Sequence, residues 1–150
     1  MKIIGTESLK KILRFAPDPV KQTDNDRIVF TVLDIMQITG EGRIDPDKDR
    51  SELARRIKRP LRKSTRDAAG NWDLTQGAYW VTCNETVQIP DGATLMLQPH
   101  QVLMENGLWH PTLAVRDWAE FTGVLIVVSA KGVRIMEGAP ISTGYVIESK

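Results

Sequence analysis

The carboxyl-terminal half of the chain is a series of short apolar segments separated by turn residues, and this pattern strongly limits the possible folds. From Trp72 onward the segments YWVTC, ATLML, TLAV, GVLIVV and two more near the end read as strands. Turn signals lie between them at Pro90-Asp91-Gly92, Asn106-Gly107 and Lys131-Gly132. Many short strands with close turns predict a sandwich, a jelly roll or a distorted barrel.

The amino-terminal half carries a helix signal followed by a strand signal. TESLKKILRF reads as a short amphipathic helix with Thr6 as its N-cap, and the prolines of APDPV end it. RIVFTVLDIMQI predicts one strand, or two strand segments joined by a bend. GVLIVVSA is expected to be buried on both faces. We find no internal repeat or linker, so residues 1–150 are expected to form a single domain.

Composition excludes several classes of protein. The 150 residues suffice for one domain with a core, and a net charge of +1 gives no general attraction to nucleic acid or anionic membrane. The single cysteine, Cys83, excludes an internal disulfide and a cysteine-based zinc site. No apolar stretch has the length of a membrane-spanning helix, and MKIIGTESLKK lacks the apolar core of a signal peptide. The expected location is cytoplasmic.

Few residues indicate chemistry by themselves. His100 and His110 lie ten positions apart with no carboxylate at a metal-binding spacing, so a structural role is favoured and no protein-held metal is predicted. Asp117 follows an apolar segment and could act as a base or cap a turn, and its spacing favours the cap. The basic residues between 55 and 66 could contact phosphates, although a solvated loop is the favoured interpretation and nucleic-acid binding is not expected.

Four motifs in order resemble a known superfamily. They are WDLTQGAYWVTCNETVQIP, then Pro99 to Leu103 with an Asn-Gly turn, then AVRDWAEFTG, and finally GAPISTGYVI. The corresponding patterns are W-x-L-x-P-G-x-Y with N-E-x-x-x-x-P, P-R-S-S-L, A-V-x-D-P-G-Y-x-G and G-A-x-I-x-Q. The chain therefore resembles the dUTPase and dCTP deaminase superfamily, in particular its archaeal-type members, over nearly its whole length.

The resemblance implies a mostly β, distorted jelly-roll-like barrel of the dUTPase-like (β-clip) type, with a short N-terminal helix. It also implies a homotrimer that binds a deoxynucleoside triphosphate in clefts between subunits. Mg²⁺ is expected only through the nucleotide phosphates. Members of the superfamily split dUTP into dUMP and pyrophosphate, deaminate dCTP, or do both.

The phosphate-contacting positions of the pattern are replaced in this chain. His100, Gln101 and Val102 stand where the superfamily has Arg-Ser-Ser, which removes a fixed positive charge and two small donors. The final glutamine corresponds to Thr143, or to Ser142 if the extra residue is placed earlier. The early-strand aspartate falls near Val29.

Two ligand-contacting positions are kept. Asp117 matches the acid that orients the attacking water, and Phe121 matches the aromatic residue that stacks on deoxyribose. The segment between these two residues is one residue longer than in the superfamily pattern. The deaminase acid is replaced by Val127 or Val128. We therefore predict nucleotide-related binding at His100, Gln101, Phe121, Ser142 and Thr143, with weak or lost dUTPase activity.

Two alternatives remain open at this point. In the first, the chain is an active dNTP pyrophosphohydrolase that uses Asp117, with basic side chains from residues 55–66 of a neighbouring subunit replacing the lost arginine. In the second, the chain is an interaction module for nucleic acid or protein, which would bind nucleic acid through RRIKRPLRKSTR.

Overall fold

Strands account for most of the ordered elements of the chain. The computed structural model describes residues 1–63 and 69–149. Its helices are α1 (Thr6–Ile12), α2 (Pro19–Gln22) and α3 (Gln101–Glu105). Its strands are β1 (Lys2–Ile3), β2 (Leu13–Arg14), β3 (Ile28–Ile38), β4 (Arg56–Lys58), β5 (Arg62–Lys63), β6 (Gly70–Leu74), β7 (Gly77–Cys83), β8 (Thr86–Val87), β9 (Ala93–Pro99), β10 (Leu108–Trp109), β11 (Leu113–Val115), β12 (Val124–Val128), β13 (Val133–Met136) and β14 (Pro140–Glu148).

One large antiparallel sheet organises the fold. Its strand order is β10-β12-β7-β3-β14-β9-β11, with β1 added beside β14 and β4 beside β3. The sheet curls into an open half-barrel. A smaller sheet, β13-β6-β5, and the pair β2-β8 complete the fold. The central strands β3 and β14 come from opposite ends of the chain, so the sheet brings the two ends together.

A bulge in β3 changes which side chains face the interior. Ile28, Phe30 and Val32 are buried at even positions, whereas Ile35 is buried at an odd position. The register of β3 against β7 shifts between Val32 and Asp34, and Leu33 is half exposed there. Because side chains alternate along a strand, one extra residue is enough to reverse the inward parity. The predicted bend is therefore a bulge within one continuous strand.

Several local predictions are corrected by the structure. Gly5, not Thr6, occupies the N-cap of α1, because Thr6 instead bonds to Asp26 through its backbone N–H and its hydroxyl. Residues of β12 alternate between buried and partly exposed, so this strand is not buried on both faces. The final strand, β14, is nine residues long rather than short, since it pairs with both β3 and β9.

A buried carboxylate joins the amino-terminal segment to the sheet. Glu85, only 1% exposed, accepts hydrogen bonds from the N–H and the hydroxyl of Thr31 and from Nε2 of Gln22. Nδ2 of Asn84 donates to the Thr31 hydroxyl and to the Val32 carbonyl, both at 3.0 Å. These bonds satisfy a charge that would otherwise be costly to bury. They tie α2 and the turn after β7 to the centre of β3.

No helix among residues 1–63 and 69–149 is long and apolar enough to cross a bilayer.

Glu85→Ala is expected to lower the free energy of unfolding by roughly 2–4 kcal/mol, because it leaves buried donors of Thr31 and Gln22 without an acceptor. Glu85→Gln, which keeps one carbonyl oxygen, should cost less. Urea denaturation measures both values. Glu7→Ala, at an exposed position, is the control and should change stability by less than about 1 kcal/mol. A loss below about 1 kcal/mol for Glu85→Ala would contradict the role assigned to this network.

Candidate functional site

A cleft of about 270 Å³ collects several of the residues singled out in the sequence. We call it the histidine cleft; it is lined by Lys21, Asp24, Asn25, Arg27, Val29, His100, Gln101 and Thr143. The sheet assembles it, because Thr143 of β14 pairs with Val29 of β3 on one side and with Gln98 of β9 on the other. His100 and Gln101 follow directly after β9, at the beginning of α3.

The imidazole of His100 accepts a hydrogen bond from the backbone, and this bond fixes its tautomer. It is the N-cap of α3, and its Nδ1 accepts a hydrogen bond of 3.1 Å from the N–H of Val102. In the neutral ring the proton is therefore on Nε2, which can donate to a ligand. Partial burial and the positive charge of Arg27 lower the pKa of His100. His100 thus supplies a neutral donor where a cation was expected from the superfamily pattern.

The positive charge of the histidine cleft comes from residues that sequence reasoning missed. Lys21 and Arg27 line the cleft beside His100, opposed by the single carboxylate of Asp24 among the described lining residues. Within the described parts of the chain, the guanidinium of Arg27 has no hydrogen-bond or ion-pair partner. The sequence does contain a signal for Arg27, because it immediately precedes the strand that corresponds to the superfamily's early-strand aspartate. Only strand pairing shows that this position adjoins His100.

The backbone that carries these cations has an uncommon conformation. Asn25 and Asp26 both have positive φ, at 54° and 58°. Asparagine and aspartate tolerate this region better than most residues. The carboxylate of Asp26 accepts from Thr6, Asp26 N–H donates to the Thr6 hydroxyl, and Arg27 N–H donates to the carbonyl of Asp24. These bonds hold the tight turn that directs the chain from α2 into β3.

Val102 and Ser142 lie outside the histidine cleft. Val102 packs against the larger core cluster, and Ser142 is fully buried. A register shift between Pro140 and Ser142 turns both Ile141 and Ser142 inward, while Thr143 faces the cleft. Ser142 and Thr143 are the two positions that can correspond to the final glutamine of the superfamily pattern. Of these two, the cleft contains Thr143.

Ser142 instead forms a buried pair with His110. The Ser142 hydroxyl lies 2.8 Å from Nε2 of His110, and Nδ1 of His110 lies 2.8 Å from the carbonyl of Pro111. Since a carbonyl only accepts, Nδ1 carries the proton and Nε2 accepts from Ser142. The ring is 2% exposed, and this burial lowers its pKa despite the backbone hydrogen bonds of Pro111 and Ile141. His110 is a packed structural residue, in agreement with the favoured sequence interpretation.

Asp117 and Phe121 line a second cleft of about 260 Å³, which we call the aspartate cleft. Asp117 is exposed and caps the short 3-10 turn Trp118–Glu120 by accepting from Ala119 N–H at 3.0 Å. The favoured capping role is therefore confirmed, and only Oδ1 is used for it. Phe121 is half-buried and packs on Trp118 with ring centroids 4.6 Å apart.

A glycine and a tryptophan position the loop that carries Asp117 and Phe121. The indole N–H of Trp80 donates to the carbonyl of Thr122 at 3.0 Å. Gly123 has φ 145°, and a Cβ there would lie 2.8 Å from the carbonyl of Val81 and even closer to the Trp80 indole. Only glycine fits this approach. The loop is thus fixed against β7 at its far end.

The two clefts share no lining residue among the described positions. His100, Gln101 and Thr143 meet in one, and Asp117 and Phe121 meet in the other. In the same described regions, no three side chains of His, Cys, Asp or Glu converge as metal ligands.

Three basic side chains of the run contact other residues in the part that the structure describes. Arg56 lies over the ring of Trp80 at 4.4 Å, Lys58 pairs with Asp34 at 3.4 Å, and Arg62 pairs with Asp73 at 3.5 Å. The end of the run, residues 64–66, lies outside the described residues. Whether the run contacts a neighbouring subunit or nucleic acid stays a prediction.

Folding stability is expected to decrease as the pH falls below about 6.5. The pKa of His110 is lowered in the folded state, so the unfolded chain binds a proton that the folded chain excludes. The stabilisation is present above the unfolded pKa and is lost as the pH falls toward the lowered folded value. Urea denaturation at about pH 7.5 and about pH 5.5 measures this loss. In His110→Gln the decrease should be smaller; an equal decrease would assign the effect to other groups.

The chain is similar in sequence to a known protein and similar in fold to solved structures, while no family model matches the chain. The chain is 25% identical over 154 residues to a protein of Methanosarcina barkeri named "Probable deoxyuridine 5'-triphosphate nucleotidohydrolase", covering 94% of this chain and 85% of the relative. Its fold is similar to 2'-deoxycytidine 5'-triphosphate deaminase from Agrobacterium tumefaciens, with a TM-score of 0.61 and 13% identity over 96% of this chain. The chain spans about half of that deaminase chain, 48% of its length.

These findings agree with the structure described above. The mostly β, curled sheet confirms the predicted fold class, whereas the trimer is not tested by it. The sequence similarity spans nearly the whole chain, as the motif resemblance did. Sequence and fold together relate this chain to the dUTPase and dCTP deaminase superfamily.

Proposed function

We propose that the chain binds a deoxynucleoside triphosphate, with the phosphate chain in the histidine cleft, and that its dUTPase activity is weak or lost. The observation that carries this proposal is the set of Lys21 and Arg27 beside His100, Gln101 and Thr143. Two cations and several neutral donors in one cleft are suited to a polyanion. The name of the Methanosarcina barkeri relative supports a ligand of the nucleotide class.

The chemistry of the cleft favours binding over hydrolysis. Hydrolysis needs donors placed on the charge that develops during reaction, and the two small donors of the superfamily pattern are replaced by Gln101 and Val102. Val102 is apolar and packs against the core, and Gln101 is larger than serine. Arg27 and Lys21 restore charge, but they approach from the α2 side of the cleft rather than from the beginning of α3. The cleft therefore still attracts phosphate, but its positive charges lie at other positions than in the superfamily pattern.

The complete site would lie between copies of the chain. Within one chain, the histidine cleft and the aspartate cleft share no described lining residue. A homotrimer would allow the aspartate cleft of a neighbour, with Phe121 as a stacking surface, to complete the histidine cleft. Mg²⁺ would enter bound to the phosphates, as the superfamily resemblance implies.

Thermal denaturation with each common dNTP and Mg²⁺ tests binding, because a ligand of the native state raises its melting temperature. At least one dNTP should raise Tm, and Arg27→Ala should weaken its binding by roughly 10- to 100-fold, since a charged hydrogen bond contributes about 1.5–3 kcal/mol. Arg14→Ala, at an exposed position outside both clefts, is the matched control and should bind like wild type. No shift with any dNTP, or equal binding by the Arg27 variant, would overturn the proposal.

An active pyrophosphohydrolase is the second candidate, favoured by the exposed Asp117 with only one carboxylate oxygen used as a cap. Pyrophosphate release from dNTPs with Mg²⁺ is the measurement. Asp117→Asn keeps a side-chain oxygen for the cap, so it should leave Tm nearly unchanged while abolishing turnover. If no dNTP is turned over by the wild-type chain, the hydrolase candidate is excluded, while the binding proposal stands on its own test.

A further inference from the structure

α3 is a short helix whose first turn is held by one side chain. Its residues, Gln101–Glu105, follow His100, and the backbone N–H of His100 donates to the carbonyl of Ile141 in β14 at 3.0 Å. The N–H of Val102 donates to Nδ1 of His100, and the N–H of Leu103 donates to the His100 carbonyl at 2.9 Å. A helix of this length has little stability of its own in water, so its cap and its packing decide whether the first turn forms.

Packing holds the middle of α3 more firmly than its beginning. Leu103 is 5% exposed and belongs to the larger core cluster, whereas Gln101 is exposed and lines the histidine cleft. Val102 lies between these two residues and is only partly buried. The first turn of α3 can therefore open while Leu103 keeps the helix against the core.

The cap on α3 depends on the protonation state of His100. Nδ1 accepts from the Val102 N–H through a lone pair, which the neutral ring offers when its proton is on Nε2. A second proton occupies that lone pair, so the imidazolium has two N–H donors and no acceptor. Two donors would then face each other, and the ring must turn away from the Val102 N–H. Protonation of His100 therefore removes the N-cap of α3.

Charged groups of both signs surround the His100 ring. They come from α2, from the turn before β3 and from α3, and they are Lys21, Asp24, Arg27 and Glu105. The strands add uncharged side chains to the cleft, Val29 of β3 and Thr143 of β14. Partial burial lowers the pKa of His100, the charge of Arg27 lowers this pKa further, and Glu105 opposes both effects. The neutral, capping ring is therefore the favoured form at neutral pH when the cleft holds no ligand.

An anion in the histidine cleft would shift this balance toward the imidazolium. The Nε2–H of His100 is the ring donor left for a ligand, and a phosphate there would also pair with Arg27, whose charge disfavours protonation of the ring. An opposite charge within about 4–6 Å favours the charged form of a side chain by roughly ten- to a thousandfold. An N-cap side chain contributes a factor of roughly two to thirty. Over most of these ranges the effect of the anion is the larger, which favours loss of the cap.

From these observations we infer that His100 is a proton-controlled cap, which holds the first turn of α3 when the ring is neutral and releases this turn when the ring is protonated. A phosphate in the histidine cleft favours the released state, in which Gln101 is free to adjust to the ligand. By linkage, anion binding takes up a proton, and the affinity for the anion rises as the pH falls until the free ring is itself protonated. The response to pH is a property of the free chain, whereas the response to phosphate rests on the proposed function.

An NMR titration of the free chain tests the cap. Between about pH 7.5 and about pH 5, the ring nitrogens of His100 should titrate, and the Val102 amide should lose protection against hydrogen exchange with the same midpoint. His100→Asn keeps an acceptor oxygen that does not titrate, so its Val102 amide should stay protected throughout. The amide of Val81, in the centre of the large sheet, reports global unfolding and should stay protected in both chains. A Val102 amide that stays protected after His100 has titrated, an equal loss in His100→Asn, or a ring that does not titrate above about pH 5 would overturn the inference.

Proton uptake on binding tests the response to phosphate. Inorganic tripolyphosphate is the probe, and calorimetric titrations at about pH 7 in two buffers with different heats of ionisation measure the protons exchanged. Wild type should take up more protons than His100→Asn, by up to about one proton per bound anion, because the two sites differ only in the titrating ring. Equal uptake by the two chains contradicts the coupling to phosphate. If wild type does not bind tripolyphosphate, the proposed phosphate site and this coupling both fail, while the NMR titration still decides whether His100 is a proton-controlled cap.

Discussion

The buried carboxylate of Glu85 is the interaction on which the position of the histidine cleft depends. It accepts from Thr31 in the middle of β3 and from Gln22 at the end of α2, and Gln22 also donates to the Val29 carbonyl of β3. The turn between α2 and β3 contains two non-glycine residues with positive φ, which local preference alone would not maintain. With α2 fixed to the sheet, Lys21 and Arg27 at either end of the turn face the same cleft.

Residues at the positions of the P-R-S-S-L pattern have structural tasks in this chain. His100 caps α3, and Val102 packs against the core and lines an apolar groove instead of offering a hydroxyl to a ligand. Positive charge in the cleft is supplied by Lys21 of α2 and by Arg27, which directly precedes β3. In our proposal, Lys21 and Arg27 supply the positive charge that the superfamily pattern places at the beginning of α3.

Position in the sheet also separates the predicted site residues into two groups. Thr143 and His100 meet because β14 lies between β3 and β9. Asp117 and Phe121 follow the edge strand β11 and are held by the Trp80 indole and the close approach of Gly123. One chain thus presents two incomplete clefts, which is the physical reason why its function is coupled to assembly in our proposal.

Local sequence patterns predicted the fold class and most of the strands. Alternation and turn residues predicted the mostly β fold, and the motif order predicted the superfamily relationship. The apolar run before Asp117 and the lack of ligand spacing around His110 indicated their capping and structural roles. These features are local, since they depend on residues within a few positions of each other.

Which residues share a cleft depends on how the strands pair in the folded sheet. Arg27 and His100 are 73 positions apart and become neighbours only through the pairing of β3, β14 and β9. The choice between Ser142 and Thr143 depended on a bulge, which no periodicity in the sequence marks, because one extra residue reverses which side chains face inward. Register and burial are properties of the assembled sheet, so the composition of the site became visible only there.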